Sequence, residues 1–282
     1  MPGTLFVVAT PIGNLEDITA RALRVLREVG IIAAEDTRRT GHLLARFAIT
    51  TPTTSLHEHN ERSKSQALIA RLLEGQSIAL VSDAGTPTVS DPGLRLIQNA
   101  IAAGIRVEPV PGPSAIMAAL SASGIAGETF VFLGFPPTRA KDRKIWFDDL
   151  ATAGRTVVFF EAPHRIRATL KDLLNKIGDR TIVIGRELTK AHEELVRSHI
   201  SDLMIRFENP VGEFTIVIDG GQIPELMPSE TATNESMAIE FGELTESKGF
   251  SRRRAAAEVA RRHGLPTNTI YSMMESLKKS GD

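Results

Sequence analysis

Short runs of β-branched and apolar residues alternate with amphipathic segments of helical period along the first 220 residues, and this alternation constrains the fold more than any other feature. The runs expected to form strands are residues 4–9, 31–34, 78–81, 106–110, 130–133, 156–160, 182–185 and 215–218. Because parallel strands need a crossover connection, usually a helix, this pattern predicts an α/β fold with a largely parallel sheet. A content of 42% hydrophobic and 24% charged residues is typical of a globular chain.

Two breaks in the alternation indicate the domain organisation. Residues 126–143 combine glycine, a Pro-Pro pair and a basic run, and residues 220–235 are rich in Pro, Ser and Thr without periodicity. We therefore expect an N-terminal α/β domain at 1–125 and a second α/β domain at 126–222. A linker and a small, basic, helical C-terminal domain at 236–282 are expected to follow.

Nearly every predicted strand is followed at once by a cluster of Gly, Pro and polar residues. In chain order the clusters read TPIGN, EDTRRT, HEHN, SDAGTPTVSDPG, PGPSA, EAPHR and RELTK. The carboxyl ends of parallel strands share one edge of a sheet, which is where open α/β folds bind ligands. The clusters therefore predict one cleft built from distant segments, although Gly and Pro also make ordinary turns.

Several kinds of site are excluded by motifs that the sequence lacks. It contains no cysteine, no phosphate-binding G-x-x-x-x-G-K-[ST] or G-x-G-x-x-G loop and no G-x-S-x-G nucleophile elbow. Apart from His57 and His59 the histidines are scattered, so we expect no metal site. Asp83 stands between small residues in SDAGTP, where its carboxylate suits a cationic or hydroxyl-rich ligand or caps a turn.

The chain shows no apolar segment of membrane-spanning length and no signal peptide, so we expect a cytoplasmic protein. Its net charge of −1 gives no indication of a nucleic-acid partner. The C-terminal region differs, because basic side chains cluster there in a helix-turn-helix-like segment: Lys248, Arg252, Arg253, Arg254, Arg261 and Arg262. They are interpreted either as phosphate contacts or as a solvated helix face.

The clusters at the strand ends also resemble a known family. VATPIGNLEDIT, AAEDTRRT, SLHEHN, LVSDAGTPTVSDPG, PVPGPSA, FFEAPHR and GRELTKAHEE, in this order, resemble the small-subunit rRNA ribose methyltransferases of the tetrapyrrole methylase superfamily, the class III S-adenosylmethionine-dependent methyltransferases. The resemblance covers residues 4–220, and the helical tail is similar to that branch's extra domain. Methylases of corphin precursors carry a Gly-rich first loop in place of TPIGN, which directs the expected substrate away from tetrapyrroles.

The resemblance implies two α/β domains with S-adenosylmethionine held between them, and a homodimer. It implies methylation of the ribose 2′-hydroxyl of a cytidine in the decoding region of 16S rRNA, in the small ribosomal subunit. The cofactor contacts that it implies are Pro11, Asp83, Thr86, Ser114, Ala115, Phe160, Glu187 and Glu213. A sister methyltransferase acting on a small molecule and a non-enzymatic RNA-binding module are the alternatives.

Methyl transfer to RNA needs cationic groups around the substrate and a group that polarises the hydroxyl or takes its proton. The candidate RNA contacts are Arg38, Arg39, Arg165, Arg186, Arg252, Arg253 and Arg254. The candidate catalytic residues are Glu35, Asp36 and Lys190, with His57, Glu161 and solvent as alternatives. Because Glu35 and Asp36 are adjacent at a strand end, we expect one of them to polarise the hydroxyl.

Overall fold

A computed structural model describes residues 1–220, 234–247, 250–263, 267, 269–270 and 273–274. The chain divides into two compact units, residues 1–220 and residues 221–282. Among the described residues, none of the helices has the length and apolar character required to cross a membrane.

The first half of the larger unit is built on a five-stranded sheet in the order β3-β2-β4-β1-β5. All of its strands are parallel: β1 (Thr4–Val8), β2 (Ile31–Ala34), β3 (Thr53–Ser55), β4 (Ile78–Val81) and β5 (Arg106–Val110). The helices that follow them are α1 (Ala20–Glu28), α2 (Thr37–Arg46), α3 (Glu61–Leu73), α4 (Leu94–Ala102) and α5 (Ala115–Ser123). The parallel arrangement predicted from the alternation is right for this sheet.

Alternation of side chains along β1 separates the two apolar layers of this sheet. Val8 packs with Val25 and Leu26 of α1 on one face, whereas Leu5 packs with Leu72 and Leu96 on the other. Both faces are therefore covered by helices, as buried parallel strands require.

The second half contains another five-stranded sheet, in the order β6-β7-β10-β8-β9. Its strands are β6 (Phe130–Phe132), β7 (Thr156–Glu161), β8 (Thr181–Arg186), β9 (Glu194–His199) and β10 (Phe214–Ile218). Only β6 and β7 run parallel; the other three pairs are antiparallel. The prediction of a largely parallel arrangement is wrong for this sheet, because β8 and β9 are joined by a short loop that holds no crossover helix.

One face of the second sheet is covered by α6 (Ala140–Ala151), α7 (Pro163–Ile177) and α8 (Ile200–Arg206). The other face is covered by α5, whose Ile116 and Leu120 pack with Val158, Val183 and Val217. The helix that follows the first sheet thus packs on the second one. This arrangement brings the loop before α5 to the ends of β7 and β10.

The described part of the smaller unit is helical, as predicted. It contains α9 (Asn234–Gly242), a π-helical turn (Glu243–Ser247) and α10 (Arg252–His263), where Ser251 Oγ accepts a hydrogen bond from Arg254 N at 3.4 Å. A buried cluster joins the helices and includes Met237, Phe241, Leu244, Ala255, Ala256, Val259, Ala260, Ile270 and Met274. Residues 221–233 of the predicted linker, Lys248 and most of the predicted helix from 267 onward lie outside the described residues, whereas Asn234 and Glu235 of the predicted linker belong to α9.

Candidate functional site

A cavity of about 440 Å³ lies between the two sheets of the larger unit. Loops from both halves form its wall, which consists of Ile12, Ala84, Gly85, Thr86, Val89, Ser90, Asp91, Ser114, Ala115, Ile116, Phe135, Phe160, Glu161, Ala162, Pro163, Glu213, Phe214 and Thr215. This volume falls within the range of small-molecule sites, roughly 300–1,000 Å³. Four of the clusters predicted from the sequence, TPIGN, SDAGTPTVSDPG, PGPSA and EAPHR, contribute to the wall.

The loop after β1 and the loop after β4 are held together by their backbones. Thr10 N donates to Gly85 O at 2.9 Å, and Gly85 N donates back to Thr10 O at 3.0 Å. Gly85 has φ +78°, a conformation that glycine adopts without the strain of a side chain. These bonds place Ile12 and Thr86 on the same wall of the cavity.

Five of the eight residues predicted to contact the cofactor line the cavity: Thr86, Ser114, Ala115, Phe160 and Glu213. Pro11 and Asp83 do not line it, but each directly precedes a residue that does, Ile12 and Ala84. Glu187 is not part of the wall, but it contacts a residue that is. Its Oε1 accepts a hydrogen bond from the backbone N–H of Glu213 at 2.9 Å.

The Asp83 carboxylate connects the loop after β4 with the loop after β2. Its Oδ1 accepts a hydrogen bond from Asp36 N at 3.0 Å, and its Oδ2 lies 3.3 Å from Arg39 Nη1. In return, the backbone N–H of Asp83 donates to Glu35 Oε2 at 3.3 Å. Asp83 therefore organises two neighbouring loops beside the cavity, a structural role that a turn-cap interpretation did not foresee.

Glu35 and Asp36, the adjacent catalytic candidates, have opposite electrostatic surroundings. Burial raises the pKa of Glu35, and the nearby Asp83 carboxylate acts in the same direction. Side-chain hydrogen bonds from Arg38, at 2.8 and 3.1 Å, lower the pKa of Asp36, which also caps α2. Asp36 is therefore a weak base, and Glu35 is the more basic member of the pair.

Lys190, the third catalytic candidate, forms a small ionic cluster with Glu187 and Glu213. Its Nζ lies 2.8 Å from Glu187 Oε1 and 3.1 Å from Glu213 Oε2. Partial burial opposes the charged form, but these two hydrogen bonds outweigh it and raise the pKa of Lys190. The amine is therefore protonated at neutral pH, a state in which it donates hydrogen bonds but does not accept a proton.

The predicted RNA-binding arginines fall into two groups. Arg165 lies beside buried Glu161 and donates a hydrogen bond to Pro136 O. Arg186 donates a hydrogen bond to Val211 O at 2.7 Å and forms an ion pair with Glu194 at 2.9 Å. These two guanidinium groups thus hold the chain's own loops. The side chains of Arg38 and Arg39 are 86% and 68% exposed beside the cavity, and Arg252, Arg253 and Arg254 are exposed on α10 in the other unit.

His57 and His59 place their rings 6.0 Å apart in an edge-on arrangement. His57 Nε2 lies 3.0 Å from Asn60 Nδ2, which fixes the imidazole against its own loop. Within the described ranges, His, Asp and Glu side chains form no group of three or more that is arranged to hold a metal ion. No residue of the HEHN cluster is part of the cavity wall.

Asp91 and Phe135 are among the side chains of the cavity wall that the sequence patterns did not single out. Asp91 lies inside the quoted SDAGTPTVSDPG cluster, but in an Asp-Pro-Gly context that is typical of a turn. Phe135 is 48% exposed, and its ring centroid lies 5.5 Å from that of Phe160. The sequence does contain a signal for Phe135, because an aromatic residue is unusual inside the Gly- and Pro-rich segment 126–143, which is interpreted as a domain boundary.

Comparison with known proteins gives consistent matches over most of the chain. The model of the tetrapyrrole (corrin/porphyrin) methylases matches residues 4–204. The ribosomal RNA small subunit methyltransferase I of Synechocystis sp. is 45% identical over 282 residues, which cover 99% of this chain and 100% of that protein. The protein of the same name from Thermotoga maritima is 47% identical over 220 residues, which cover 77% of this chain and 99% of that protein.

A solved structure shows the same fold. Uroporphyrin-III C-methyl transferase from Thermus thermophilus, complexed with S-adenyl homocysteine, aligns with a TM-score of 0.55 and 19% sequence identity over 78% of this chain and 99% of that chain. The predicted fold class and the predicted methyltransferase activity are therefore confirmed. On the family match and these relatives, the chain belongs to the tetrapyrrole methylase family.

Proposed function

We propose that this protein transfers a methyl group from S-adenosylmethionine to the ribose 2′-hydroxyl of a cytidine in the decoding region of 16S rRNA. The observation that carries the proposal is the cavity between the two sheets, where five residues of the expected cofactor site line one wall together. The relatives named for small-subunit rRNA methylation support the substrate class. The particular nucleotide and the ribose oxygen come from the resemblance of the strand-end motifs.

The residues of the cavity fit a sulfonium nucleoside. Its wall combines apolar and aromatic surface, from Ile12, Phe160 and Phe214, with the hydroxyls of Thr86 and Ser114 and with carboxylates. Such a mixture suits an adenosine beside a positively charged sulfur. When bound, S-adenosylmethionine supplies a methyl group on a positively charged sulfur, ready for displacement by an oxygen nucleophile.

The chain's own contribution is mainly orientation. Backbone bonds between Thr10 and Gly85 and the Asp83 contacts hold the loops of the wall in fixed positions. Correct placement of two reactants lowers a reaction barrier by up to roughly 7–11 kcal/mol. A wall that holds the methyl donor in a fixed orientation therefore contributes to the rate. Phe135, half exposed on the wall, offers a ring on which a nucleobase stacks.

RNA recognition in this proposal depends on exposed cations. Arg38 and Arg39 lie at the end of β2, next to Asp83 and the cavity loops, and are placed to contact phosphates around the target nucleotide. Arg252, Arg253 and Arg254 provide a second, separate set of cations on α10. We further propose that the protein works in the cytoplasm as a homodimer, which sedimentation of the purified chain tests.

The decisive experiment is incubation of the purified chain with isotopically labelled S-adenosylmethionine and small ribosomal subunits, with free 16S rRNA in parallel. We expect label in 16S rRNA, at a ribose 2′-oxygen of one cytidine, when the product is digested and mapped by mass spectrometry. Label on a base, or no label in RNA with either substrate, would contradict the proposal. Labelling of a small molecule instead would favour the sister-methyltransferase alternative.

A further inference from the structure

Asp91 occupies a distinctive position in the loop between β4 and α4. It lines the cavity together with Thr86 and Ser114, and the nearby Ser82 hydroxyl acts to lower its pKa. The same loop contains Thr88 and Ser90 with φ of +72° and +70°, values that non-glycine residues rarely adopt. Strain of this kind persists where the surrounding structure enforces it and is concentrated at functional sites.

The loop is held by a contact from another element. Glu61 Oε1 of α3 accepts hydrogen bonds from Gly93 N at 3.1 Å and from Arg95 N at 2.9 Å. These bonds fix the backbone two and four residues beyond Asp91. The loop that contributes Asp91 to the cavity wall is therefore anchored to α3.

Three carboxylates line the cavity, and two of them are engaged elsewhere. Glu161 is buried and accepts hydrogen bonds from Ala162 N at 2.8 Å and from Thr169 Oγ1 at 2.5 Å. Glu213 pairs with protonated Lys190. The charged groups that act on the third, Asp91, are the carboxylates of Glu35 and Asp83, which disfavour its negative charge and increase its affinity for a proton.

We propose that Asp91 is the catalytic base of this site and accepts the proton of the ribose hydroxyl during methyl transfer. The inference rests on the proposed function. The hydroxyl O–H bond breaks with its proton moving to the Asp91 carboxylate, while the oxygen forms a bond to the methyl carbon. The carbon–sulfur bond breaks with its electron pair remaining on sulfur, so positive charge is lost from sulfur and a neutral thioether leaves.

The electrostatic surroundings match this role. Burial raises the pKa of Asp91 to about 6, and Glu35 and Asp83 act in the same direction against the opposing effect of the Ser82 hydroxyl. The nearby cation Arg39 pairs with Asp83 at 3.3 Å. A carboxylate with this pKa is ionised at neutral pH yet more basic than an ordinary aspartate, as a general base requires.

The test compares Asp91→Asn with the wild-type protein in single-turnover methylation of small ribosomal subunits. We expect the rate to fall about 10²–10⁴-fold, the range for loss of a general base, while calorimetry still detects S-adenosylmethionine binding. The wild-type rate should rise with pH through about 6 and then level off. This rising limb of the pH–rate profile should be absent in Asp91→Asn. Asp202→Asn, an exposed carboxylate on α8, is the matched control and should retain the wild-type rate.

A second variant keeps the inference testable if Asp91→Asn does not fold. Because the Ser82 hydroxyl lowers the pKa of Asp91, Ser82→Ala should move the rising part of the pH–rate profile to higher pH. An Asp91→Asn protein with the wild-type rate and pH profile, or a limb that does not move in Ser82→Ala, would overturn the inference while the proposed function stands. A wild-type protein that methylates no ribosomal RNA would overturn both.

Discussion

The surroundings of individual residues, rather than their types, separate the roles of the acidic groups at the cavity. Glu35 and Asp36 are neighbours in the chain, yet burial raises the pKa of one and Arg38 lowers the pKa of the other. From the sequence the two were equivalent candidates for the same task. Lys190 was a third, and its two carboxylate partners make it a cation at neutral pH.

At this scale we predict that Lys190→Met lowers the free energy of unfolding by about 0.5–1 kcal/mol at pH 7, as expected for a partly solvated ion pair. The Lys190 side chain lies 2.8 Å from Glu187, and the substitution leaves that carboxylate without its cation. Urea unfolding of the two proteins, followed by circular dichroism, measures the difference.

The same pair predicts a pH dependence. Hydrogen bonding from Lys190 lowers the pKa of Glu187 below its ordinary 4.5, so the folded state binds this proton less readily than the unfolded state. The stabilisation is therefore complete above pH 4.5 and is lost as pH falls through the lower folded pKa. The stability difference between wild type and Lys190→Met should disappear in acid, and a constant difference down to pH 3 would contradict this account.

At the scale of elements, the connection between β8 and β9 packs against the loop after β1, which contributes Ile12 to the cavity wall. Glu187 and Thr189 have φ of +51° and +66°, and the segment from 187 to 190 contacts the loop after β1. A Cβ placed on Gly13 would lie 2.4 Å from Lys190 Cγ and 2.9 Å from Leu188 O. The two loops thus approach so closely that only glycine fits at this point.

We therefore predict that Gly13→Ala displaces one of these loops and weakens S-adenosylmethionine binding at least about tenfold, a cost of 1.4 kcal/mol. Gly41→Ala is the matched control, because a Cβ at Gly41 in α2 meets nothing within 4 Å. Alanine has the higher helix propensity, so that control should keep its affinity and gain up to about 1 kcal/mol of stability. Calorimetric titration with S-adenosylmethionine measures both affinities. Equal affinities for Gly13→Ala and Gly41→Ala would contradict this prediction.

At the scale of the whole molecule, residues 1–220 contain both sheets, their apolar cores and the complete wall of the cavity. The Thermotoga maritima relative, covered almost entirely by 220 aligned residues, has the same name as relatives that match the full chain. Cofactor binding and the added cations of the tail are therefore expected to be separable functions.

We predict that a chain ending at residue 220 folds and binds S-adenosylmethionine with unchanged affinity, but binds rRNA less tightly and with a shallower salt dependence. Each phosphate contact that is lost reduces the slope of log K against log salt by about 0.7–0.9. The full-length triple variant Arg252→Ala, Arg253→Ala, Arg254→Ala should show part of the same decrease. Equal salt slopes for all three proteins would assign these arginines to a solvated helix face.

Local patterns in the sequence were sufficient for much of this protein. The alternation of apolar runs and helical segments predicted four of the five strands of the first sheet, all except β3, since strand and helix periods are properties of neighbouring residues. Four of the seven strand-end motifs also contribute to the wall of the cavity.

Only the tertiary structure decided the rest, because it depends on contacts between distant residues. Strand β9 was missed because it is a partly exposed edge strand with no continuous apolar run, and its pairing with β8 made the second sheet mainly antiparallel. Packing turned Arg165 and Arg186 inward toward the chain's own acceptors. Burial beside Glu35 and Asp83 gave Asp91 the properties of a base, and a sequence does not state which charges will be neighbours or how much water will remain between them.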